Sequence, residues 1–163
     1  MAGKYRIGYS RDTHIFVENR DLFLGGIKIP HEKGLLGHSD ADVLLHAIGE
    51  AILGSLALGD LGTHFPDNDP KYKNIDSKIL LKEIVKMMKE KGYKINNIDT
   101  MLILEYPKMR PYILDIRRSI ASLLDTDIEN VSVKATTNEK MGYLGEGLAI
   151  EANAIVMLEK EGE

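Results

Sequence analysis

The sequence contains no cysteine in 163 residues, so disulfide bonds, thiolate metal ligands and cysteine nucleophiles are all excluded. It also lacks an excess of basic residues, because its formal net charge is -4. A surface that binds nucleic acid needs a positive field to attract phosphate backbones, so we expect no nucleic-acid partner. A local site for one nucleotide needs no such field and stays compatible with this charge.

Long apolar runs are absent too. No stretch approaches the roughly 20 residues that a membrane-spanning helix needs. The first residues, MAGKYRIGYSRD, have neither the apolar centre of a signal peptide nor the composition of a transit peptide. We therefore expect a stand-alone cytoplasmic protein with no membrane partner. The length and the 44% apolar content suit one domain, residues 1–163, with a buried core.

Strand and helix patterns alternate along the chain, which predicts an α/β or α+β domain with helices on one face of a sheet. Strands are predicted at 4–16, 98–106, 131–135 and 148–158, and two short strands in 22–30 turn at Gly25-Gly26. Helices are predicted from Ser39 or Asp40 to Leu58, from Asp76 or Ser77 to Lys91, and over 111–124. The segment 62–74 is dense in turn formers and is predicted as a loop.

Asp12 and His14 are the first candidate metal ligands. On a strand, residues two apart point to the same face, and carboxylate plus imidazole is a donor set that suits zinc. A surface pair without a ligand is the more common meaning of this spacing.

A second candidate group lies in the segment HSDADVLLH and just beyond it. Four-residue steps would place His38, Asp42, His46 and Glu50 along one helix face. A solvated helix face explains the pattern equally well, and spacing alone does not say which of the four would bind a metal.

Two glycine-containing segments also carry polar groups. GDLGTHFPDNDP, residues 59–70, offers carboxylates and backbone amides for sugar hydroxyls, although turns use the same residues. KATTNEKMGYLGEG, residues 134–147, could contact phosphate and a hard cation, although it also fits a helix-start capping arrangement. His64 has no evident partner and is expected on the surface.

Taken together, these motifs resemble the 2-C-methyl-D-erythritol 2,4-cyclodiphosphate synthases of the non-mevalonate isoprenoid pathway. The strings HSDADVLLH, GDLGTHFPDNDP, KGY, PKM, KATTNEKMGYLGEG and IEANA occur in the family's order and spacing, from about Arg6 to Leu158. The resemblance implies a four-stranded mixed sheet with helices on one face, assembled as a homotrimer whose sites lie between subunits.

The reaction that the resemblance implies is a CMP-releasing cyclisation by a phosphorus–oxygen lyase. The 2-phosphate of 4-diphosphocytidyl-2-C-methyl-D-erythritol 2-phosphate attacks the β-phosphorus, which gives 2-C-methyl-D-erythritol 2,4-cyclodiphosphate and CMP. By this likeness Asp12, His14 and His46 hold Zn²⁺, and Glu139 is the protein ligand of a second ion, Mg²⁺ or Mn²⁺, that bridges the substrate diphosphate. His38 and Thr137 would be the catalytic residues that stabilise the transition state.

The resemblance also implies a set of substrate-binding residues in two regions. The methylerythritol and phosphate side would be bound by Asp12, Thr13, His14, His38, Ser39, Asp60, Leu61, Gly62, Phe65, Pro66, Asp67, Asn68 and Asp69. The cytidine side would be bound by Leu104, Glu105, Tyr106, Pro107, Lys108, Met109, Arg110, Thr136, Thr137, Asn138 and Glu139. Tyr143 is a further implied substrate-binding residue.

The chain departs from the family's wording in three places. Tyr9, Ser10 and Arg11 replace smaller or apolar residues, and Glu50 stands where a shorter Asp is common. The loop GYLGEG lacks two residues and the arginine that in the family helps bind phosphate on the trimer axis, beside a glutamate matched by Glu151. The competing hypotheses are a metal-dependent phosphoesterase and a non-catalytic binder of isoprenoid phosphates; the lost arginine argues against the binder.

Overall fold

The computed structural model describes residues 2–162 and contains seven strands and five α-helices. The strands are β1 Tyr5–Val17, β2 Leu22–Leu24, β3 Ile27–Ile29, β4 Gly34–Leu35, β5 Tyr93–Ile103, β6 Val131–Thr136 and β7 Ala149–Lys160. The helices are α1 Val43–Ser55, α2 Leu61–His64, α3 Ser77–Glu90, α4 Ile113–Leu124 and α5 Gly142–Gly145.

Five of the strands form one mixed sheet in the order β4-β1-β7-β5-β6. Strand β7 is antiparallel to both β1 and β5, and β6 is parallel to β5. The carboxyl ends of β1, β5 and β6 therefore lie at the same edge of the sheet. The predicted mixed sheet is confirmed, but its count of four strands is short by β4, which has only two residues and so leaves no periodic pattern in the sequence.

The helices cover one face of the sheet, as predicted. Helix α1 packs against β1 and β7, and the alternate residues Ala152, Ala154, Val156 and Leu158 of β7 are buried. Gly8 makes this close packing feasible, because a Cβ atom there would lie only 1.9 Å from the carbonyl oxygen of Ala51 in α1. A larger residue at this position would push α1 away from β1.

The opposite face of the sheet carries a row of exposed apolar side chains. Residues of β1 and β7 that alternate with the buried ones point to this face, and their exposed fractions range from 48% to 68%. The row consists of Tyr5, Ile7, Tyr9, Ile15 and Ile155. We call it the open sheet face; Tyr5, Ile7, Tyr9 and Ile155 are neighbours on it, whereas Arg11 and Thr13 separate Ile15 from them. Clustered apolar surface of this kind marks interaction sites on soluble proteins.

Three boundary predictions are wrong. Strand β5 runs from Tyr93 to Ile103, whereas the prediction had 98–106. Helix α1 begins at Val43 and ends at Ser55, and Asp42 caps it, whereas the prediction had Ser39 or Asp40 as the cap and Leu58 as the end. The predicted loop 62–74 overlaps the short helix α2, which Asp60 caps by accepting a hydrogen bond from the amide of Thr63. The predicted start of α3 is confirmed, with Asp76 as its cap.

Two short strands do turn at Gly25-Gly26, as predicted, and both glycines have positive φ, 65° and 81°. Over residues 2–162 no helix is long and apolar enough to cross a membrane.

Candidate functional site

Asp12, His14 and His46 meet where the carboxyl-terminal half of β1 faces α1. Oδ2 of Asp12 lies 3.0 Å from Nε2 of His14 and 3.1 Å from Nδ1 of His46. One donor atom from each residue lies within 4.8 Å of the other two. One carboxylate oxygen and two imidazole nitrogens suit a divalent ion such as zinc, and three protein ligands leave a fourth position open. These residues, which the resemblance implied as ligands, could hold such an ion.

The charges in this triad are set by the contacts among its members. Burial disfavours the ionised form of Asp12, but hydrogen bonds from His14 and His46 outweigh it and hold the pKa of Asp12 far below its ordinary value. Burial likewise opposes protonation of His14, yet the hydrogen bond and the charge of Asp12 raise the pKa of His14 above its ordinary value. The triad is thus negatively charged at its centre and attracts a cation.

Main-chain and hydroxyl groups fix the two imidazole rings. Nδ1 of His14 donates to the carbonyl of Leu36, 2.7 Å away. Nε2 of His46 lies 2.8 Å from Oγ of Ser77 and 3.1 Å from Oγ of Ser39. The Leu36 contact leaves no pattern in the sequence, because every residue has a carbonyl, and Ser77 is recognisable there only as a possible helix start.

A cleft of about 360 Å³ opens beside the triad. The residues of the implied methylerythritol side that line it are Asp12, His14, His38, Ser39, Leu61, Gly62, Phe65 and Asp67. Asp60, Pro66, Asn68 and Asp69 belong to the same segment but are not among the lining residues, and neither is Thr13. The carbonyl of Asp69 nevertheless lies 3.1 Å from Nε2 of His38 and so touches a lining side chain.

Arg20 holds the loop that carries His38 and Ser39. Its two terminal nitrogens donate to the carbonyls of Gly37 and Ser39, at 3.0 and 2.7 Å. Because both hydrogen bonds go to main-chain atoms, they fix the path of the loop. The side chains of His38 and Ser39 are oriented by other contacts.

The predicted polar stripe along a helix is wrong in its first half. His38 lies before α1, and Asp42 is fully buried, where it accepts hydrogen bonds from the amides of Gly25, Gly26 and Leu45. His46 and Glu50 do lie in α1 and line the cleft.

Glu50 joins three elements beside the cleft. Its carboxylate accepts from Oγ of Ser10 in β1 at 2.6 Å and from the amide of Leu61 in α2 at 3.2 Å. His64 has a partner, contrary to expectation, because its Nε2 donates to the carbonyl of Leu58 at 2.8 Å.

The residues of the implied cytidine side form a second group, at the ends of β5 and β6. The amide of Leu104 donates to the carbonyl of Thr136, and the carboxylate of Glu105 accepts from the amides of Asn138 and Lys140. Residues 104–110 and 136–139 make up this group, which we call the strand-end group. Tyr143 is exposed in α5.

The strand-end group and the triad are separate within one chain. Among residues 2–162, no member of the strand-end group lines the cleft beside the triad. Strand β7 lies between β1 and β5, so the two groups are about 10 Å apart across the sheet at the least. The implied catalytic residues His38 and Thr137 therefore lie in different groups of the same chain.

Arg11 lies on the opposite side of β1 from the triad, because neighbouring strand residues point to opposite faces. Its Nη2 donates to Oε2 of Glu151 at 3.0 Å on the open sheet face. The charge of Arg11, which is next to the candidate ligand Asp12 in sequence, is therefore paired with Glu151 and faces away from the triad.

The chain matches the model of the YgbB family over residues 5–159. It is 56% identical over 155 residues to a protein of Chloroherpeton thalassium, covering 95% of this chain and 99% of that one. It is 51% identical to a protein of Bacillus mycoides, covering 96% and 99%. Both relatives are named 2-C-methyl-D-erythritol 2,4-cyclodiphosphate synthase.

Solved structures share the fold. The CDP complex of Plasmodium falciparum IspF superposes with a TM-score of 0.87 at 35% identity, covering 99% of this chain and 100% of that one. The bifunctional IspDF of Campylobacter jejuni gives a TM-score of 0.92 at 39% identity. That match covers 96% of this chain but only 42% of the longer bifunctional protein.

Proposed function

This chain belongs to the YgbB family, and from that membership we propose that it converts 4-diphosphocytidyl-2-C-methyl-D-erythritol 2-phosphate into 2-C-methyl-D-erythritol 2,4-cyclodiphosphate and CMP. The observation that carries the proposal is a clustered Asp12–His14–His46 triad in a chain that is 56% identical to a synthase of this name over 95% of its length. The activity is that of a phosphorus–oxygen lyase in isoprenoid precursor biosynthesis.

The reaction is a phosphoryl transfer within the substrate. An oxygen of the 2-phosphate forms a bond to the β-phosphorus, and the bond from that phosphorus to the bridging oxygen breaks. The electron pair leaves with the α-phosphate of CMP. No protein nucleophile is required, which agrees with a chain that has no cysteine. The protein's tasks are to align two phosphates and to offset their mutual repulsion.

The triad supplies the anionic end of a cation site. We propose Zn²⁺ for Asp12, His14 and His46, and Mg²⁺ or Mn²⁺ for Glu139. Bound there, such ions would neutralise phosphate charge and polarise the diphosphate. Asp12 remains ionised at neutral pH because its pKa is far below the ordinary value.

The cleft beside the triad is the proposed binding place for the methylerythritol phosphate end. The loop held by Arg20 presents His38 and Ser39 to this cleft, where the imidazole and the hydroxyl can donate to phosphate oxygens. Leu61, Gly62, Phe65 and Asp67 also line this cleft, and the same segment contains Asp60, Pro66, Asn68 and Asp69.

We further propose a homotrimer in which the cleft of one copy is completed by the strand-end group of its neighbour. Two observations support this: within the described part of one chain, residues 2–162, the two groups share no cleft, and the open sheet face exposes Ile7, Tyr9 and Ile155. A closed ring of three copies would cover that face and bring Lys108, Thr137 and Glu139 to the substrate diphosphate. Residues 1–163 would act as one domain, and a cytoplasmic location stays a prediction.

The test is incubation of the protein with the CDP-methylerythritol phosphate substrate, Zn²⁺ and Mg²⁺, followed by ³¹P NMR. Cyclic diphosphate and CMP should appear in equal amounts. Linear phosphate products would instead indicate a phosphoesterase, and an unchanged substrate with intact metal would indicate a binding protein.

Substitution of the ligand set gives the matched control. His46→Ala should lose the tightly bound zinc and most of the activity, because a two-ligand site holds zinc weakly. His31→Ala, which changes a histidine outside the triad, should keep its zinc. Stoichiometric zinc in His46→Ala would contradict the proposed ligands.

A further inference from the structure

We propose that Ser77 and Asp40 are positioning residues that orient the ring of His46 for metal binding and release the hydroxyl of Ser39 for the substrate. The inference rests on the metal site of the proposed function. Neither residue touches the cleft's reacting groups directly; both would act through His46 and Ser39.

The first step is that Asp40 takes the hydroxyl hydrogen of Ser77. Ser77 is the first residue of α3 and is 1% exposed. Its Oγ donates to one oxygen of Asp40, and its amide donates to the other at 3.0 Å. Because the carboxylate only accepts, the hydroxyl hydrogen of Ser77 is directed to Asp40, and its oxygen lone pairs point elsewhere.

The second step is that Ser77 decides which nitrogen of His46 carries the proton. Oγ of Ser77 lies 2.8 Å from Nε2 of His46, and with its hydrogen given to Asp40 it can only accept. Nε2 must therefore be the N–H of His46. A metal-bound imidazole keeps one N–H, so with an ion bound Nδ1 would present its lone pair in place of its hydrogen bond to Oδ2 of Asp12, which lies 3.1 Å away. The lone pair thus points to the place where the ion would sit.

The third step concerns Ser39 in the cleft wall. Its Oγ accepts from the amide of Ala41 at 3.1 Å and lies 3.1 Å from the same Nε2–H of His46. Because Nε2 of His46 carries a hydrogen and has no lone pair, the hydroxyl of Ser39 cannot donate to it, and its hydrogen is available to a ligand. A phosphate oxygen is the acceptor that suits it. The hydrogen-bonded chain Asp40–Ser77–His46–Ser39 therefore has two effects. It directs the lone pair of Nδ1 of His46 toward the metal, and it directs the hydroxyl hydrogen of Ser39 toward the substrate.

His14 provides the internal contrast. Its Nδ1 donates to the carbonyl of Leu36, a main-chain group that no side-chain substitution removes. The orientation of His46 depends instead on the side chains of Ser77 and Asp40, so it is the ligand that substitution can disturb. Partners that hold a metal-bound histidine in this way typically change metal affinity when they are removed.

The experiment compares zinc affinity in the full-length protein by competition with a chromophoric chelator. Ser77→Ala should bind zinc roughly 10- to 100-fold more weakly than the unsubstituted protein. Asp40→Asn, which keeps one carbonyl oxygen as an acceptor, should lose less. Ser55→Ala is the matched control, because Ser55 is also buried in a helix but donates only to the carbonyl of Ile52 within α1. Affinity within twofold of the unsubstituted protein in Ser77→Ala would overturn the proposal.

A second readout separates orientation from general loss of structure. In the zinc-loaded protein, ¹⁵N NMR of the histidine rings should show the proton of His46 on Nε2, exchanging slowly with water, and zinc on Nδ1. Ser77→Ala should speed that exchange and leave the ring signals of His14 in place. Zinc on Nε2 of His46 would refute the assignment.

Neither readout uses the substrate. If the unsubstituted protein failed to form the cyclic product, the proposed function would be refuted, but the zinc and NMR results would still support the positioning role. If cyclisation occurred but Ser77→Ala bound zinc normally, the positioning role alone would fall.

Discussion

Mixing two inactive variants of this chain should restore activity. His46→Ala damages the triad and leaves the strand-end group intact, whereas Glu139→Ala damages the strand-end group and leaves the triad intact. Each variant alone should be nearly inactive, because every site in it lacks one of the two groups. In the proposed trimer, a mixture would contain some sites in which the intact triad of one copy meets the intact strand-end group of its neighbour.

The expected recovery follows from the separation of the two groups in the fold. Each site would draw its triad from one copy and its strand-end group from the next. In a random one-to-one mixture about a quarter of all sites are whole, and after purification of the mixed trimers alone about a third of the sites are whole, because each such ring has one complete neighbour pair. Within one chain β7 keeps the groups about 10 Å apart, so no such recovery is expected if each chain works alone.

The assay is co-expression of the two variants with different tags, tandem purification, and measurement of CMP release. His46→Ala mixed with Asp12→Ala is the matched control, because both variants damage the triad and no mixture of them contains a whole site. Native mass spectrometry reports whether both chains are present in one trimer. Mixed trimers of His46→Ala and Glu139→Ala that stay as inactive as the separate variants would refute the shared site.

Three further predictions concern stability and metal binding. Asp42→Ala should lower the free energy of unfolding by about 3–5 kcal/mol, since three amides, two of them buried, lose their acceptor. Asp76→Ala at a partly exposed cap should cost only about 1 kcal/mol. Urea unfolding measures both, and equal losses would contradict the reasoning. Gly8→Ala should weaken zinc binding and lower stability, because the added methyl group pushes α1, with His46, away from β1. A zinc titration that matches that of the unsubstituted protein would count against this. Zinc affinity should fall as pH decreases, and the fall should start above pH 6.5. The raised pKa of His14 lets a proton compete with the ion there, while Asp12 stays ionised. Calorimetric titrations from pH 8 to pH 6 measure the affinity, and an affinity that does not change with pH would disprove the prediction.

Part of the site followed from local periodicity. The two-residue spacing of Asp12 and His14 predicts a common face on a strand, and the structure places both on the face that meets α1. The place of His46 in a helix was likewise predicted from the sequence. Which face of α1 would meet β1, and which of its polar residues would lie near Asp12, depended on packing across 34 residues of chain.

The capping residue of α1 shows why other details could not be predicted. Ser39, Asp40 and Asp42 are all good caps by residue type. Asp42 takes the role because the amides of Gly25 and Gly26 also converge on its carboxylate, and those partners come from a hairpin 17 residues earlier for Gly25. The short helix α2 escaped prediction for a different reason, since its four residues are too few to show a helical period and turn formers such as Pro66 and Asp67 follow them.

The buried carboxylate of Asp42 makes the hairpin turn and the start of α1 one cooperative unit. The amides of Gly25, Gly26 and Leu45 all end on it, so none of them can exchange with solvent unless the carboxylate is released from all three. In hydrogen exchange the three amides should therefore open together, with one shared protection level. Because His46 follows Leu45 directly, the same opening would displace His46 from the proposed metal site. A bound ion should therefore slow amide exchange at Gly25 and Gly26, although the ion does not contact that turn.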